Sequence, residues 1–162
     1  MDVRITRVRE LLKTSRHATM ATVNTDGSPH NSPYFFVYSP DITKLYWCSR
    51  PETMHCQNIE RTGQLFVVLF KNNEHATGLY IRAHNGRIAE NDEFDAAVVA
   101  FNAAQKKADY QQFEPADYAA SPTKLYVADI QEMWVNGFEQ DEKGMVIRDY
   151  REPVTAADLL KS

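Results

Sequence analysis

The chain has 162 residues, of which 43% are hydrophobic and 25% charged, and it carries a net charge of −4. That length supports one domain (1–162) with a sizeable core, and the acidic balance argues against nonspecific nucleic-acid binding, which needs a basic face. No apolar run approaches a bilayer span and MDVRITRVRELLK lacks a signal-peptide core, so a cytoplasmic location is expected, with Cys48 and Cys56 as free thiols.

Ile5, Val8, Leu11 and Leu12 recur at helical spacing between basic residues and predict an amphipathic first helix. Strands are expected at 19–24, 30–38 and 44–49. Asp26-Gly27 between the first two predicts a type I′ hairpin turn. Pro33 sits inside a strand-like run, so that run should be an edge or an interrupted pairing, with backbone groups left open. A second helix is expected from Pro51, placed at the first helical position, to about Arg61, and Gly63 suits the left-handed residue just past its end. QLFVVLF (64–70) reads as a strand buried on both faces.

A further strand is expected from Thr77 to Ala89, with Asn85-Gly86 marking a turn or bulge. Asn91 or Asp92 can cap a helix whose stripe is Phe94, Ala97, Val98, Phe101 and Ala104. The segment from Tyr110 to Pro122 reads as a loop with one helical turn. A long strand at 124–138, a turn at 140–144 and a strand at 145–150 follow, and Thr155 can cap a short terminal helix. Six or seven strands, two or three helices and hairpin signals between neighbours predict a mainly β fold: a mostly antiparallel closed sheet with flanking helices.

GxGxxG, GKS/GKT, HExxH and GxSxG are absent, and His17, His30, His55, His75 and His84 show no metal-ligand spacing. One segment stands out. Ser49, Arg50, Thr53 and His55 gather hydroxyls and cations around a helix N-terminus, whose free amides suit a phosphate. The same residues would also serve as an ordinary helix start. The interrupted strand beside them, His30-Asn31-Ser32-Pro33-Tyr34, offers donors and acceptors to a flat heterocycle.

The order ATMATVNTDGSPHNSPYFFVY, LYWCSRPETMHCQNI, QLFVVLF and GLYIRAHNGRIAEN, then the 94–107 helix, resembles the pyridoxamine 5′-phosphate oxidase-like FMN-binding split β-barrel family. The resemblance covers residues 11–138 and lies in the order of elements rather than in one sharp motif. It implies a six- to seven-stranded antiparallel split barrel and a homodimer with two FMN sites at the subunit interface. Carried over by position, Ser49, Arg50, Thr53 and His55 would hold the phosphate. Asn31, Ser32, Pro33 and Tyr34 would run along the isoalloxazine edge. Trp134, with Asn136 nearby, would reach the site from the partner chain; a core or interface tryptophan is the simpler alternative. FMN, FAD and a deazaflavin all present a phosphate to the same turn.

The chain departs from the family pattern at three places. His55 stands where relatives commonly have lysine. Ser32 and Val37 replace the second-strand arginine and lysine of authentic pyridoxamine-phosphate oxidases, and no Arg-x-His pair follows Trp134. A phosphorylated substrate would need those cations. The leading expectation is therefore a small FMN-dependent oxidoreductase of other specificity, with His30 and Tyr34 as acid–base candidates. The alternatives are a true pyridoxamine-phosphate oxidase, or a non-catalytic flavin or haem binder with His17 or His84 as haem ligand.

Overall fold

A computed structural model describes residues 3–71, 78–107 and 111–161. Helix α1 (Val3–Thr14) leads into β1 (His17–Val23), β2 (Pro29–Tyr38) and β3 (Lys44–Ser49), then α2 (Met54–Thr62), β4 (Leu65–Phe70) and β5 (Gly78–Ile88). Next come α3 (Asp92–Lys107), α4 (Pro115–Ala120), β6 (Lys124–Gln140), β7 (Val146–Val154) and α5 (Ala156–Leu160). Thr77 and Tyr110, where two expected segments begin, and His75 lie outside the described residues.

The sheet runs β3-β2-β1-β4-β5-β6-β7, and β3 also pairs with β6, closing six antiparallel strands into a barrel with β7 outside it. Inside are Met20, Phe36, Leu45, Trp47, Val67, Leu69, Leu79 and Ile81, all at most 1% exposed. Val8, Leu11 and Leu12 of α1 belong to the same core. The α3 stripe, with Ala97, Val98 and Phe101 buried, covers a second cluster on the outer wall around Val37, Tyr46, Leu125 and Val127. Thr155 caps α5, its hydroxyl accepting from Asp158 N at 3.2 Å.

Three local expectations are corrected. The Asp26-Gly27 turn is not type I′. Gly27 N donates to Asn24 O at 3.0 Å, and of the two central residues only Gly27 (φ +84°) has positive φ. The loop is a type I turn followed by a left-handed glycine, and Asp26 accepts from Ser28 N at 2.9 Å. Pro51 is not the first helical residue. Thr53 N and Oγ1 both donate to Arg50 O, at 3.0 and 2.8 Å, making a tight turn in which proline's φ also fits, and α2 starts at Met54. β4 is buried on one face only: Leu65, Val67 and Leu69 point inward, Phe66 and Val68 are half-buried, and Phe70 is 60% exposed. A barrel strand has one inner face, and no helix among the described residues covers the outer side of β4.

Other elements follow the pattern. Gly63 (φ +66°) ends α2 in the left-handed region. Asn85-Gly86 forms a bulge between His84 and Arg87, with Asn85 at φ +54°. Gly86 N donates to Gly63 O at 2.9 Å, and a Cβ at Gly86 would collide with Ile59 Cγ2. β7 runs to Val154, beyond the expected end, because Arg151 to Val154 still pair with β6; Pro153 is tolerated on this edge strand.

Ile42, in the β2–β3 turn, has φ +55°, a conformation that costs a β-branched residue on the order of 1 kcal/mol or more. Its side chain is 5% exposed in the main core, which offsets that strain. Away from the barrel interior, Lys44 Nζ bridges Asp129 (2.8 Å) and Glu93 (3.0 Å), while Arg87 pairs with Glu93 and Asn85 donates to Asp129 at 2.8 Å. This network ties β3, β5, β6 and α3 together. Burial would raise the Asp129 carboxyl, but hydrogen bonds from Lys44 and Asn85 outweigh it and bring it down to about 2.

Candidate functional site

β2 pairs with β1 from Pro29 to Phe35 and with β3 only at Phe36, Val37 and Tyr38. Its first half, including Pro33, is thus open on one side, as the proline requires. α2 enters beside this gap. His55 Nε2 lies 2.8 Å from Ser49 Oγ and 3.3 Å from Thr53 Oγ1, and its Nδ1 lies 3.4 Å from Ser32 Oγ. Ser49 Oγ is also 3.3 Å from Thr53 Oγ1.

Four of the ten expected site residues therefore converge at the start of α2. Thr53 is the N-cap, yet its hydroxyl makes no capping bond, so the amides of Met54, His55 and Cys56 have no side-chain cap among the described residues. Amides, hydroxyls and an imidazole gathered at a helix N-terminus fit a phosphate. Arg50 stands at the rim, but its Nε is 2.6 Å from Glu52 Oε1, and both side chains are well exposed. Any anion there must share Arg50 with Glu52.

The other expected residues are placed differently. Asn31 and Pro33 are exposed on the opposite face of β2 from Ser32. The Tyr34 side chain turns into the barrel, edge-on to Trp47 at 6.4 Å. Its hydroxyl is buried without a partner among the described residues, and burial raises its pKa far above the ordinary value, which removes Tyr34 as an acid–base candidate. Period-two alternation made this inevitable: Tyr34 shares the inward parity of Phe36. Only its backbone is available to a ligand.

Trp134 lies ten residues beyond Lys124, about 30 Å along the strand at ~3.3 Å per residue, so one chain does not bring it to the cradle. It stacks on Phe66 at 6.4 Å, and the Arg82 guanidinium sits 5.3 Å above its ring. Asn136 is occupied locally, its Oδ1 accepting from Gly78 N at 2.6 Å. Val37, one of the two substitutions for family cations, is buried under α3. Ser32, the other, faces His55.

Three residues of this region were not assigned to the site from the sequence. Lys124 pairs with Ser49 across β3 and β6. Cys56, at the third helical position, and Tyr126, stacked on Trp47 at 5.3 Å, lie just below the cradle. Burial pushes the Cys56 thiol up, but hydrogen bonds from His55, Thr53, Tyr126 and Ser49 outweigh it and bring the thiol down to about 7. Cys48 is half-buried and its thiol bonds Thr123 Oγ1 at 3.1 Å; both cysteines are free. His17 packs edge-on against Phe35 at 5.8 Å, at the opposite end of the strands from His84.

Comparison with known proteins places this geometry in a family context. The family profile described as Pyridoxamine 5′-phosphate oxidase matches residues 6–137. Among curated proteins none matches the chain. Solved structures give likenesses of fold. A haem-binding protein from Mycobacterium smegmatis has a TM-score of 0.68 at 16% identity, with 98% of this chain and 60% of that one covered. A protein of unknown function from Agrobacterium tumefaciens has 0.65 at 23%, covering 96% and 59%. The haem storage protein HutZ of Vibrio cholerae has 0.61 at 15%, covering 80% and 92%. The chain thus spans about 60% of the length of the first two proteins. No helix among the described residues is long and apolar enough to cross a membrane.

Proposed function

Since the chain belongs to the pyridoxamine 5′-phosphate oxidase family, we propose that it is an FMN-binding flavoprotein, a small flavin-dependent oxidoreductase that acts as a homodimer. The observation that carries this reading is the convergence of Ser32, Ser49, Thr53 and His55 on the uncapped start of α2. These groups would hold the FMN phosphate, with Arg50 at the rim. The open backbone of β2 near Asn31 to Tyr34 would line the ring edge. Bound flavin supplies the redox chemistry, while the protein binds, orients and excludes water.

Dimerisation is part of the proposal. Phe66, Tyr80 and Trp134 form an aromatic strip on the outer wall, where Arg82 and Arg151 lie over the Trp134 and Tyr80 rings. A two-fold partner would bring its own Trp134 and Asn136 toward the cradle. Oxidation of pyridoxamine 5′-phosphate itself is disfavoured. Val37 lies beneath α3, where it could not present a cation to substrate, and Ser32 belongs to the cofactor side. His30, half-buried on β2, remains the acid–base candidate.

The test compares FMN with riboflavin. Apo-protein should bind FMN at least tenfold more tightly, and Ser49→Ala with Thr53→Ala should close that gap. Equal affinities in wild type would end the phosphate-cradle reading. Acid release and chromatography of the bound cofactor then distinguish FMN from FAD and a deazaflavin.

A haem reading has one observation in its favour. A groove of about 730 Å³ across the outer face of β1, β4 and β5 is lined by His84 together with Phe66. A Soret band that appears on haem titration and is lost in His84→Ala would support it. With His17 at the other barrel end, a single chain could supply only one of the two as ligand.

A further inference from the structure

A second cavity, remote from the cradle, lies where α1, the β2–β3 turn and α5 meet, with a volume of about 800 Å³. That is within the range of small-molecule sites. Leu11, Leu12, Ile42 and Leu159 make its floor, each at most 5% exposed. Its wall is fixed because Arg9 donates to the carbonyls of Leu159 (3.0 Å) and Asp158 (2.6 Å), joining α1 to α5.

The charge around this groove is opposite to that of the chain. Arg7, Arg9, Lys13, Lys71 and Lys161 line it against one acid, Glu10, in a protein of net charge −4. Lys161 is partly engaged by Asp158 at 3.3 Å. The side chains of Arg7 and Lys71 make no hydrogen bond or ion pair among the described residues. The floor also has a feature of its own. Ile42 holds an apolar side chain there from a left-handed backbone position that favours glycine or asparagine.

We propose that this groove binds an anionic amphiphile. Its head group is taken by Arg7 and Lys71 at the rim, and its hydrocarbon body lies along Tyr38, Pro40 and Leu160 over the closed floor of Leu11, Ile42 and Leu159. An apolar floor with a few cations at its edge matches that chemistry in shape and in charge. The site is independent of the flavin reading, since none of its lining residues belongs to the cradle.

Calorimetric titration of the cofactor-loaded protein with decanoate tests it. Decanoate should bind with one site per chain, decyltrimethylammonium should not, and inorganic phosphate should bind at least tenfold more weakly than decanoate. Arg7→Glu with Lys71→Glu should weaken decanoate at least tenfold while leaving the melting temperature and bound cofactor unchanged. Ile42→Asn, which suits the backbone, should remove the gain in affinity from octanoate to decanoate. Three outcomes would overturn the proposal: equal binding of the cationic amphiphile, decanoate affinity unchanged by charge reversal, or a changed particle mass by light scattering in that variant. The last would make the groove an interface between copies. Capture by anionic vesicles without binding of free decanoate would equally overturn it, in favour of a membrane surface.

Discussion

Ser49 and Lys124 stand opposite each other at the end of the β3–β6 pair, so their side chains leave the sheet on one face. Lys124 Nζ donates to the carbonyl oxygens of Ser121 (3.2 Å) and Ala119 (3.4 Å). A phosphate held by Ser49 would offer that ammonium a charged acceptor in place of neutral ones. A cation from a strand 75 positions later can thus reach the same phosphate as His55.

Lys124→Ala should therefore lower FMN affinity by about 1–2 kcal/mol, the size of one charge-assisted hydrogen bond. Riboflavin affinity should stay the same. Fluorescence quenching titrations of both ligands check this, and an equal loss for riboflavin would mean that Lys124 acts through the fold of β6.

Glu52 would compete with a bound anion for Arg50. Both side chains are about 60% exposed, so solvent screens the pair and the effect is small. Glu52→Gln should tighten FMN by roughly 0.5 kcal/mol at low ionic strength, and 1 M salt should abolish the gain. A looser complex in Glu52→Gln would show that the carboxylate positions Arg50 instead of competing with the ligand.

The Cys56 thiol makes stability depend on pH. Its value of about 7 in the fold lies below the ordinary 9.0, so the folded state favours the thiolate. That contribution is fully present above pH 9 and is lost as pH falls through 7, with an upper size of about 3 kcal/mol. Urea unfolding of apo-protein should show wild type gaining on Cys56→Ser between pH 7 and 9. Parallel curves for the two proteins would place the thiol at its ordinary value.

At the acid end the Lys44–Asp129 pair matters. With its carboxyl at about 2, Asp129 stabilises the fold above its unfolded value of 3.8, and the stabilisation disappears as pH falls through 2. Asp129→Asn should cost about 2 kcal/mol at pH 7 and almost nothing near pH 2. Thermal melts across that range decide it. A constant deficit would point to lost packing instead.

The sequence was most informative where local patterning decides the outcome. The α1 stripe, the α3 stripe, Gly63 as the end of α2 and the bulge at Asn85-Gly86 all rest on a few neighbouring residues. It was less informative where a residue's fate depends on a distant strand. Lys124 meets Ser49 only through the closure of β3 on β6, which no spacing within either strand reveals. The bare outer face of β4 depends on which helices cover the barrel, and α3 covers the β2–β3–β6 wall. Tyr34 is different: its inward parity was available in the strand, but the polar run around it, Asn31-Ser32-Pro33, drew attention to the edge. The start of α2 turned on the Arg50 carbonyl, which captured both Thr53 donors and kept Pro51 out of the helix.

The contact between Gly86 and Ile59 gives the cradle a remote anchor. α2 is a rod of nine residues, about 13 Å long at ~1.5 Å per residue, pinned at its far end by the β5 bulge. A methyl group at Gly86 would pry that end away from the barrel and swing the opposite tip, where His55 meets Ser32 and Ser49. The aim of the α2 tip is thus set by a hydrogen atom on another strand, thirty-one positions along the chain from His55 and in contact with none of the cradle side chains.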